Sequence, residues 1–386
     1  MRVVVAPDKF KGSLTAAAAA EAIGAGLRSA RPDLDVVLAP VADGGDGTVD
    51  AAVAAGYQRV AVTVTGPTGK PVPATFARSA ETAVVEMAAA SGLRCLPGGR
   101  PAPLTATTHG TGGLIRAALD GGARRLVLGL GGSATTDGGT GMAAALGARF
   151  LDATGADLPP GGAALRELDH LDLTGLDPRL GTVEIVVASD VQNPLTGPAG
   201  AAAVYAPQKG ASAADVERLE QGLCRLAAVV VDELGIDLSS MPGAGAAGGT
   251  GGAAVAFLGA RLVSGIDLLL DLVRFPAAVQ GASLVVTGEG SLDSQTLSGK
   301  APAGVARAAA RAGVPVVALV GRCELTPDEV AASGFGGVHA LSELEPDSER
   351  SMRDAGRLLR QLAARLGAGD PSHPGVLAAR PASGQT

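Results

Sequence analysis

Five short loops that combine glycine with an aspartate are the most constraining feature of this chain of 386 residues. Each loop follows an apolar run long enough for one buried strand, and the loops read PDKFKGS, ADGGDGT, GGSATTDGG, SDVQN and GEGSLDS. One such loop is ordinary turn chemistry, but five at strand ends in one chain indicate a shared ligand site. The rhythm of strand, polar loop and helix predicts an open, largely parallel sheet, whose ligands bind beyond the carboxyl ends of the strands.

The segment 283–303, SLVVTGEGSLDSQTLSGKAPA, holds the densest set of these features. A strand at 284–286 leads into TGEG, whose glycines let backbone N–H groups come close to a ligand. Asp293 follows, and Lys300 stands where an alanine-rich helix begins. Such an arrangement suits a phosphate held beside an acceptor hydroxyl. It is not a Walker loop, because that pattern needs Ser or Thr directly after the lysine, where this chain has Ala301.

The length of the chain predicts two domains. The strand–loop–helix rhythm occurs near both ends, whereas 59–87 alternates around glycine–proline turns as in an antiparallel meander. We predict an α/β protein of two unlike domains, a Rossmann-like, largely parallel-sheet domain formed by both termini and an inserted α/β domain with a mixed sheet. The predicted boundaries are 1–58 with 283–366 for the first domain, 59–282 for the second, and a disordered tail at 367–386.

Several helices are marked by local signals. Thr15 is placed to cap a helix that runs to about Ala30. A helix with a mixed charged face is predicted at 213–234, and an amphipathic helix at 350–366. Between them, the glycine-dense stretch 243–252 predicts a loop that precedes another helix.

Composition excludes several classes of function. The net charge of −7 and an aromatic content of 2% argue against a nucleic-acid partner. Three widely spaced cysteines without a CxxC pair, and four scattered histidines, fit a reducing cytoplasm better than disulfides or a zinc site. The uncharged stretch 238–260 is long enough to span a membrane, but its glycines, serines and proline suit a lipid-facing helix poorly. Asp8 interrupts the first apolar run, so no signal peptide is visible, and we expect a cytoplasmic protein without a membrane partner.

Lysine is rare and its positions are selective. Only five of the 31 basic residues are lysines, and all five lie beside or within glycine- or proline-containing turns. A compact ammonium group suits phosphate where a planar guanidinium does not fit. We predict that Lys9, Lys11 and Lys300 contact phosphate or a substrate carboxylate, whereas Lys70, in GPTGKP, belongs to a hairpin turn.

The carboxylates of the five loops suit a hard cation. Magnesium is usually held through one or two carboxylates together with substrate phosphates. Asp190, with Asn193 beside it, is the first choice for Mg²⁺ or for substrate positioning. Asp43, Asp46 and Asp137 are further candidate ligands, although a DGG turn is often purely structural.

The stretch Gly129–Ala134 offers a different interpretation. It satisfies GxGxx(G/A) after a strand, and Asp152 lies about twenty residues further on, as in a dinucleotide-binding turn. An NAD-dependent oxidoreductase would follow. Against it, the sequence TTDGG delays the helix that should receive the pyrophosphate, and the anionic Asp137 is unfavourable beside that group.

The motifs together resemble a known family. PDKFKGS, PVADGGDGT, GLGGSATTDGG, SDVQNPLTGPAGA with YAPQKGA, and VTGEGSLDSQTLSGKAP look like those of the bacterial glycerate kinases of the GarK/GlxK type, in the same order and up to the tail. The resemblance implies ATP-dependent phosphorylation of D-glycerate in a cleft between two unlike α/β domains. It favours 2-phosphoglycerate over 3-phosphoglycerate as product, and it leaves open whether the protein is a monomer or a homodimer.

Phosphoryl transfer assigns hypothetical roles to these residues. The reaction must neutralise the nucleotide's charge, align the acceptor hydroxyl and accept its proton. Asp293 is the candidate base, with an N-cap as its structural alternative, and Asp190 and Lys300 complete the predicted catalytic set. The other predicted contacts to substrate or phosphate are Asp8, Ser13, Gly131, Gly132, Ser133, Glu289, Gly290 and Ser291. A non-catalytic sugar-acid binding protein is the remaining alternative, since a sensor needs no carboxylate placed to accept a proton.

Overall fold

The computed structural model describes residues 1–42, 44–297 and 300–369, without the side chains of residues 295 and 297. Asp43, one of the predicted magnesium ligands, lies outside the described residues. So does 370–386, which is most of the predicted tail.

Strands and helices alternate along most of the described chain. Its strands are β1 (Arg2–Pro7), β2 (Asp35–Leu38), β3 (Gln58–Thr65), β4 (Pro71–Ser79), β5 (Thr82–Glu86), β6 (Arg125–Gly129), β7 (Arg149–Leu151), β8 (His170–Asp172), β9 (Glu184–Ala188), β10 (Arg261–Val263), β11 (Leu284–Gly288), β12 (Ser291–Leu292), β13 (Val316–Val320), β14 (Arg322–Cys323) and β15 (Gly337–Ala340). Its α-helices are α1 (Ala16–Ala30), α2 (Thr48–Ala54), α3 (Ala88–Ser91), α4 (His109–Asp120), α5 (Thr140–Ala145), α6 (Ala201–Tyr205), α7 (Ala213–Leu234), α8 (Ala246–Leu258), α9 (Gly265–Leu272), α10 (Phe275–Ala278), α11 (Ser294–Leu297), α12 (Ala301–Arg311), α13 (Pro327–Ala332), α14 (Ser348–Arg353) and α15 (Ala355–Ala368).

The chain divides into two compact units, 1–43 with 266–386 and 44–265. These boundaries differ from the expected ones at 58/59 and 282/283. Helix α2 packs on β4 and β5, which places it in the second unit. Ile266 of α9 lies against Gly304 of α12, so α9 belongs with the first unit from that residue onward.

The first unit contains a five-stranded parallel sheet in the order β15-β13-β11-β1-β2. The three central strands are almost wholly buried, because helices cover both faces of such sheets, and their sequences are accordingly continuous apolar runs. Helices α1 and α15 pack against each other over this sheet. The core contains mainly aliphatic side chains, such as Ile23, Leu27 and Leu358, as the low aromatic content predicts.

The second unit contains a six-stranded mixed sheet in the order β10-β9-β6-β5-β4-β3. The first four strands of that order are parallel, and β3, β4 and β5 form the predicted antiparallel meander. The pairs β12–β14 and β7–β8 form two smaller sheets. A parallel sheet in one unit and a mixed sheet in the other confirm the predicted fold class.

Local helix signals were good predictors. The Thr15 hydroxyl accepts a hydrogen bond from the Ala18 N–H at 3.1 Å and caps α1, and α7 spans 213–234 as predicted.

Two predictions about helices were wrong in part. The expected single helix at 350–366 is interrupted at Asp354, which separates α14 from α15. The expected glycine loop at 243–252 already contains the start of α8, although its backbone is non-helical from Ala247 to Gly249.

The described residues contain no helix that is both long enough and apolar enough to cross a membrane. Within the stretch 238–260, which has the length of a membrane span, the helix is α8, and it covers only Ala246–Leu258.

Replacement of Gly26 by alanine tests the close packing of α1 on α15. A Cβ atom at Gly26 would overlap the carbonyl oxygen of Arg360 and would lie 2.8 Å from the Cβ of Ala363. We expect Gly26→Ala to lower the free energy of unfolding by about 1–3 kcal/mol, despite the better helix propensity of alanine. Urea unfolding followed by far-UV circular dichroism measures the change.

Gly356 is the matched control, because it lies in α15 and a Cβ there would meet only a methyl of Leu14, at 3.9 Å. Gly356→Ala should leave stability unchanged or raise it by up to about 1 kcal/mol. Equal effects of the two substitutions would contradict the close α1–α15 contact.

Candidate active site

Two buried carboxylates follow neighbouring strands at the carboxyl edge of the first sheet. Pro7 at the end of β1 is paired with Gly288 at the end of β11, and the next residues are Asp8 and Glu289. The Asp8 N–H donates to the Gly288 carbonyl at 2.8 Å. Asp8 is only 5% exposed and Glu289 only 7%. The sequence motifs PDKFKGS and GEGSLDS are therefore brought side by side.

Close backbone contacts hold the Glu289 loop. A Cβ atom at Gly288 would overlap the carbonyl oxygen of Leu319, and one at Gly290 would lie 3.2 Å from the Lys11 nitrogen. The Gly321 N–H donates to the Glu289 carbonyl at 3.0 Å. Loops after β1, β11 and β13 thus meet backbone to backbone at this edge.

The Glu289 side chain lies in an acidic, weakly hydrated environment. Its Oε1 accepts a hydrogen bond from the Thr296 hydroxyl at 2.5 Å. Burial raises the pKa of Glu289 to about 7, and the nearby Asp8 and Asp293 add to the shift. The Thr296 hydroxyl and Lys300 oppose it. Glu289 therefore titrates near neutral pH.

The pKa of Asp293 is shifted in the opposite direction. Its Oδ1 accepts from the Thr296 N–H at 3.0 Å, which caps α11, and from the Lys300 Nζ at 3.2 Å. Partial burial acts to raise the pKa of Asp293, but these donors together outweigh it and lower the pKa below its usual range. Asp293 is thus an N-cap and an ion-pair partner, the structural alternative that the sequence left open. Lys300 itself is the N-cap residue of α12.

The lysine-bearing loop after β1 joins the same cluster. The Lys9 N–H donates to Asp8 Oδ1 at 2.6 Å, and the Lys9 Nζ lies 3.9 Å from that oxygen. The side chain of Lys11 is exposed, and its backbone nitrogen lies beside Gly290. Two of the three predicted phosphate-binding lysines, Lys9 and Lys300, therefore have carboxylate partners in this unit.

Two predicted serine contacts are engaged by the protein. The Ser13 hydroxyl donates to the Met352 carbonyl at 2.5 Å, and the Ser291 hydroxyl accepts from Arg322 Nε at 3.1 Å. The first bond ties the loop after β1 to α14, and the second ties β12 to β14. Both bonds favour a structural role for these serines.

In the second unit, two glycine loops pack at the carboxyl ends of β6 and β9. A Cβ atom at Gly44 would lie 2.8 Å from the Ala188 carbonyl oxygen, and one at Gly131 would overlap the Cα of Gly45. The motifs ADGGDGT and GGSATTDGG therefore meet directly, and only glycine permits that approach.

Gly132 and Ser133 lie in the same turn. The Gly132 carbonyl accepts from the Leu93 N–H at 3.0 Å, and Gly132 has a φ of +71°. Ser133 is buried, with an exposed fraction of 7%, and is bridged to Gly92. These contacts attach the turn to Gly92 and Leu93, which directly follow α3.

The dinucleotide-binding alternative loses its structural basis here. No helix begins at the turn Gly129–Ala134, since the next described helix, α5, starts at Thr140. Asp152 accepts hydrogen bonds from the N–H groups of Thr154 and Ala156 within its own turn, at 2.8 and 3.1 Å. Neither the pyrophosphate site nor the ribose carboxylate of that fold is in place.

Asp46 has an acidic neighbour that sequence reasoning missed. Asp46 forms an ion pair with Arg94. Glu86, at the end of β5, accepts from the N–H groups of Gly47 and Val49, both at 3.2 Å, and so caps α2. Burial, with Asp46 adding to it, raises the pKa of Glu86 to about 7. The available signal was a single carboxylate at the end of the apolar run TAVVEM.

Asp137 is a fully buried structural residue rather than an open ligand. Its Oδ2 accepts from the N–H and the hydroxyl of Thr108, at 2.8 and 2.9 Å, and from the Gly141 N–H at 3.3 Å. Its Oδ1 accepts from the Gly139 N–H at 3.2 Å. Burial raises the pKa of Asp137, and these donors oppose the shift. These contacts favour a structural role for Asp137 over the predicted role as a magnesium ligand.

Lys209, in the motif YAPQKGA, is buried beside that carboxylate. It is 3% exposed, and its Nζ donates to the Thr135 carbonyl at 2.6 Å. Burial lowers the pKa of Lys209 to about 7, while Asp137 acts to raise it. Sequence reasoning noted this lysine in a turn but assigned it no role.

Asp190 borders a recess of about 240 Å³ formed by the loops after β9 and β10. Its Oδ1 accepts from the Gly265 N–H at 3.1 Å. Both polar atoms of the Asn193 side chain form hydrogen bonds within the protein. Its Nδ2 donates to the Ala199 carbonyl at 2.8 Å, and its Oδ1 accepts from the Tyr205 hydroxyl at 2.6 Å. The recess is lined by Ser189, Asp190, Val191, Gln192, Pro242, Gly243, Leu262, Val263 and Ser264.

A model described as the glycerate kinase family matches residues 3–368. The chain belongs to the glycerate kinase family. This membership confirms the resemblance that the five loop motifs carry.

Individual members of the glycerate kinase family match over nearly the full chain. The glycerate kinase of Bacillus subtilis (strain 168) is 48% identical over 373 residues, covering 95% of this chain and 98% of the relative. The glycerate 2-kinase of Escherichia coli (strain K12) is 46% identical over 345 residues, covering 88% and 90%. A crystal structure described as glycerate kinase 2 of Salmonella typhimurium LT2 is 44% identical with a TM-score of 0.84, covering 95% of this chain and 97% of the other.

Replacement of Lys209 by methionine tests its structural role. The substitution removes the donor to the buried Thr135 carbonyl while an unbranched side chain of similar size fills the space. We expect the free energy of unfolding to fall by about 1–3 kcal/mol, the cost of a buried acceptor without its partner. Lys70→Met, at an exposed turn position, is the control and should change stability by less than about 0.5 kcal/mol. Equal stability of the two variants would refute the assignment.

Glu289 gives a prediction about pH. Its pKa of about 7 in the folded state exceeds the ordinary 4.5, so the folded state retains a proton that the unfolded state releases. The stabilisation is complete below about pH 4.5 and is lost as the pH rises through 7. Between about pH 5 and 8, the unfolding free energy of the wild type should fall by on the order of 2–3 kcal/mol more than that of Glu289→Gln.

Urea unfolding at several pH values measures that difference. Glu21→Gln, at an exposed position of α1, is the matched control and should keep the pH dependence of the wild type. If Glu289→Gln kept it as well, the shifted titration of Glu289 would be excluded.

Proposed function

We propose that this protein is a glycerate kinase that transfers the γ-phosphoryl group of ATP to D-glycerate. The observation that carries the proposal is the match to a named glycerate kinase at 48% identity over 95% of the chain. The clustered carboxylates, lysines and glycine loops at the carboxyl edges of the sheets are the types of group that phosphoryl transfer needs.

The product we propose is 2-phosphoglycerate. One of the matching relatives, 46% identical over 88% of this chain, is named a glycerate 2-kinase. The alternative product is 3-phosphoglycerate, which would require the primary rather than the secondary hydroxyl to face the phosphate donor.

The donor groups of the chain fit magnesium. The described side chains at both sheet edges offer carboxylate oxygens, and the described residues contain no group of three or more His, Cys, Asp or Glu that could hold a metal by itself. Magnesium typically binds through one or two carboxylates and completes its coordination with water and substrate phosphates. Asp190, beside the recess, is our preferred ligand, and Asp46 is the second. When bound, Mg²⁺ would neutralise charge on the phosphates of ATP.

Roles for the first unit follow from its contacts. We assign Lys300 and Lys9 to phosphate or to the substrate carboxylate, because ammonium groups held by Asp293 and Asp8 are fixed in position. Lys11 is assigned the same role. Reaction in a cleft between two domains, a cytoplasmic location and a monomeric or homodimeric state remain predictions.

The alternatives have less support. The oxidoreductase hypothesis lacks a helix at Gly129–Ala134, as described above. A non-catalytic sugar-acid binding protein would bind glycerate without consuming ATP, and only an activity measurement separates it from a kinase.

The test is an ADP-release assay coupled to NADH oxidation, with ATP and Mg²⁺, in the presence and absence of D-glycerate. We expect ADP release that depends on D-glycerate and is abolished by excess EDTA. Phosphorus NMR of the product should show the resonance of 2-phosphoglycerate. Glycerate binding without ADP release would support the sensor instead, and a direct change in nicotinamide absorbance without the coupling enzymes would support the oxidoreductase.

A further inference from the structure

We propose that Glu289, rather than Asp293, accepts the proton of the glycerate hydroxyl during phosphoryl transfer. The inference rests on the proposed function and adds to it the identity of the general base. Asp293 becomes a positioning residue that acts through Thr296 and Lys300.

The position of Glu289 is that of a ligand-facing group. It is the first residue after β11, the middle strand of the five-stranded parallel sheet, and it neighbours Asp8 at the end of β1. Ligands of such sheets bind just beyond the carboxyl ends of the strands. At the next residue, Gly290, a Cβ atom would lie 3.2 Å from the backbone nitrogen of Lys11, so the loop after β1 packs closely against Gly290. The loops after β1 and β11, which carry the lysines assigned above to phosphate or to the substrate carboxylate, therefore meet next to Glu289.

A single hydroxyl orients the carboxylate. Thr296, which is fully buried, donates to Glu289 Oε1 at 2.5 Å and accepts from the Asp293 N–H at 3.2 Å. The Thr296 hydroxyl also lies 3.3 Å from Asp293 Oδ1, and the much shorter of its two bonds is the one to Glu289. A carboxylate has a second oxygen with its own lone pairs, and fixing Oε1 also fixes the direction in which Oε2 points.

The carboxylate of the neighbouring Asp293 already binds an N–H group and an ammonium group. Its Oδ1 caps α11 through the Thr296 N–H and binds Lys300, whose Nζ also lies 3.5 Å from Oδ2. A carboxylate stabilised by these donors is a weak base. Its distance to Lys300 instead suits it to hold that ammonium group at a fixed point.

The electrostatic surroundings separate the two carboxylates. The charged groups that affect Glu289 are Lys300, Asp8 and Asp293, with Lys9 held beside Asp8. Burial and the two aspartates raise the pKa of Glu289 to about 7, whereas the pKa of Asp293 is lowered. A general base is most effective when its pKa is near the operating pH, and a pair of carboxyl groups shifted in opposite directions marks a division of roles.

The chemical step balances with these groups. The glycerate hydroxyl oxygen forms a bond to the γ-phosphorus of ATP as the bond from that phosphorus to the β,γ-bridging oxygen breaks, and ADP leaves with the electron pair. The hydroxyl proton passes to the Glu289 carboxylate and is released to solvent after the products leave. No oxidant or other reactant is needed.

The experiment compares kcat and kcat/KM of three variants from about pH 5.5 to 9 in the glycerate-dependent ADP-release assay. For the wild type we expect an acidic limb with an apparent pKa near 7. Glu289→Gln should lower kcat by about 10²- to 10⁴-fold and remove that limb. Asp293→Asn should keep the limb and show most of its loss in KM.

Thr296→Val provides an independent readout. Loss of the hydroxyl donor removes a stabilising bond to ionised Glu289, so the acidic limb should move to higher pH while the rate at pH 9 is largely retained. A merely structural role of Glu289 would not move the limb. Circular dichroism and isothermal titration of ATP binding, which should match the wild type, verify that Glu289→Gln is folded.

The outcomes distinguish the two proposals. A folded wild type without glycerate-dependent ADP release overturns the proposed function and this inference with it. An active wild type whose Glu289→Gln variant keeps both rate and acidic limb overturns this inference alone. Loss of the limb in Asp293→Asn but not in Glu289→Gln would identify Asp293 as the base.

Discussion

Backbone contacts that leave no room for a Cβ atom determine where the loops at the carboxyl edges of both sheets lie. In the first unit, Gly288 packs against the Leu319 carbonyl. In the second, Gly131 packs against Gly45. Glycine in these motifs is therefore required first for the approach of one loop to another, and any exposure of N–H groups to a ligand follows from that approach. The carboxylates and lysines between these glycines are therefore held at fixed positions.

Buried carboxylates in this fold are of two kinds. Asp137 accepts hydrogen bonds from several N–H and O–H groups and stabilises the start of α5. Glu289 accepts one hydrogen bond, from Thr296, and lies near Lys300 on one side and near Asp8 and Asp293 on the other, so its charged form has fewer stabilising partners than that of Asp137. Because a buried charge with few partners is costly, the position of Glu289 at the end of a central strand fits the role proposed for it, whereas the hydrogen bonds of Asp137 fit a structural role.

Much of the fold was predictable because its signals are local. The cap at Thr15 and the alternating apolar and polar runs each depend on a few adjacent residues. Burial of a charged side chain is instead a tertiary property, so the roles of Lys209 and Glu86 were not visible. The sequence of a DGG turn is the same whether its aspartate faces solvent or the interior, and for this reason the burial of Asp137 was not visible from the sequence. The unit boundaries differ from the predicted ones because the packing of α2 and α9, rather than the change in strand–loop–helix rhythm along the chain, determines them.

The pairing of β1 with β11 joins residues 3–7 to residues 284–288. During synthesis the first strand therefore emerges from the ribosome long before its partner exists, whereas the chain of 44–265 is complete and continuous much earlier. The middle unit has the opportunity to fold first, and closure of the parallel sheet must await the last third of the chain. Until then the apolar strand β1 lacks the neighbouring strand that covers one of its edges in the folded protein.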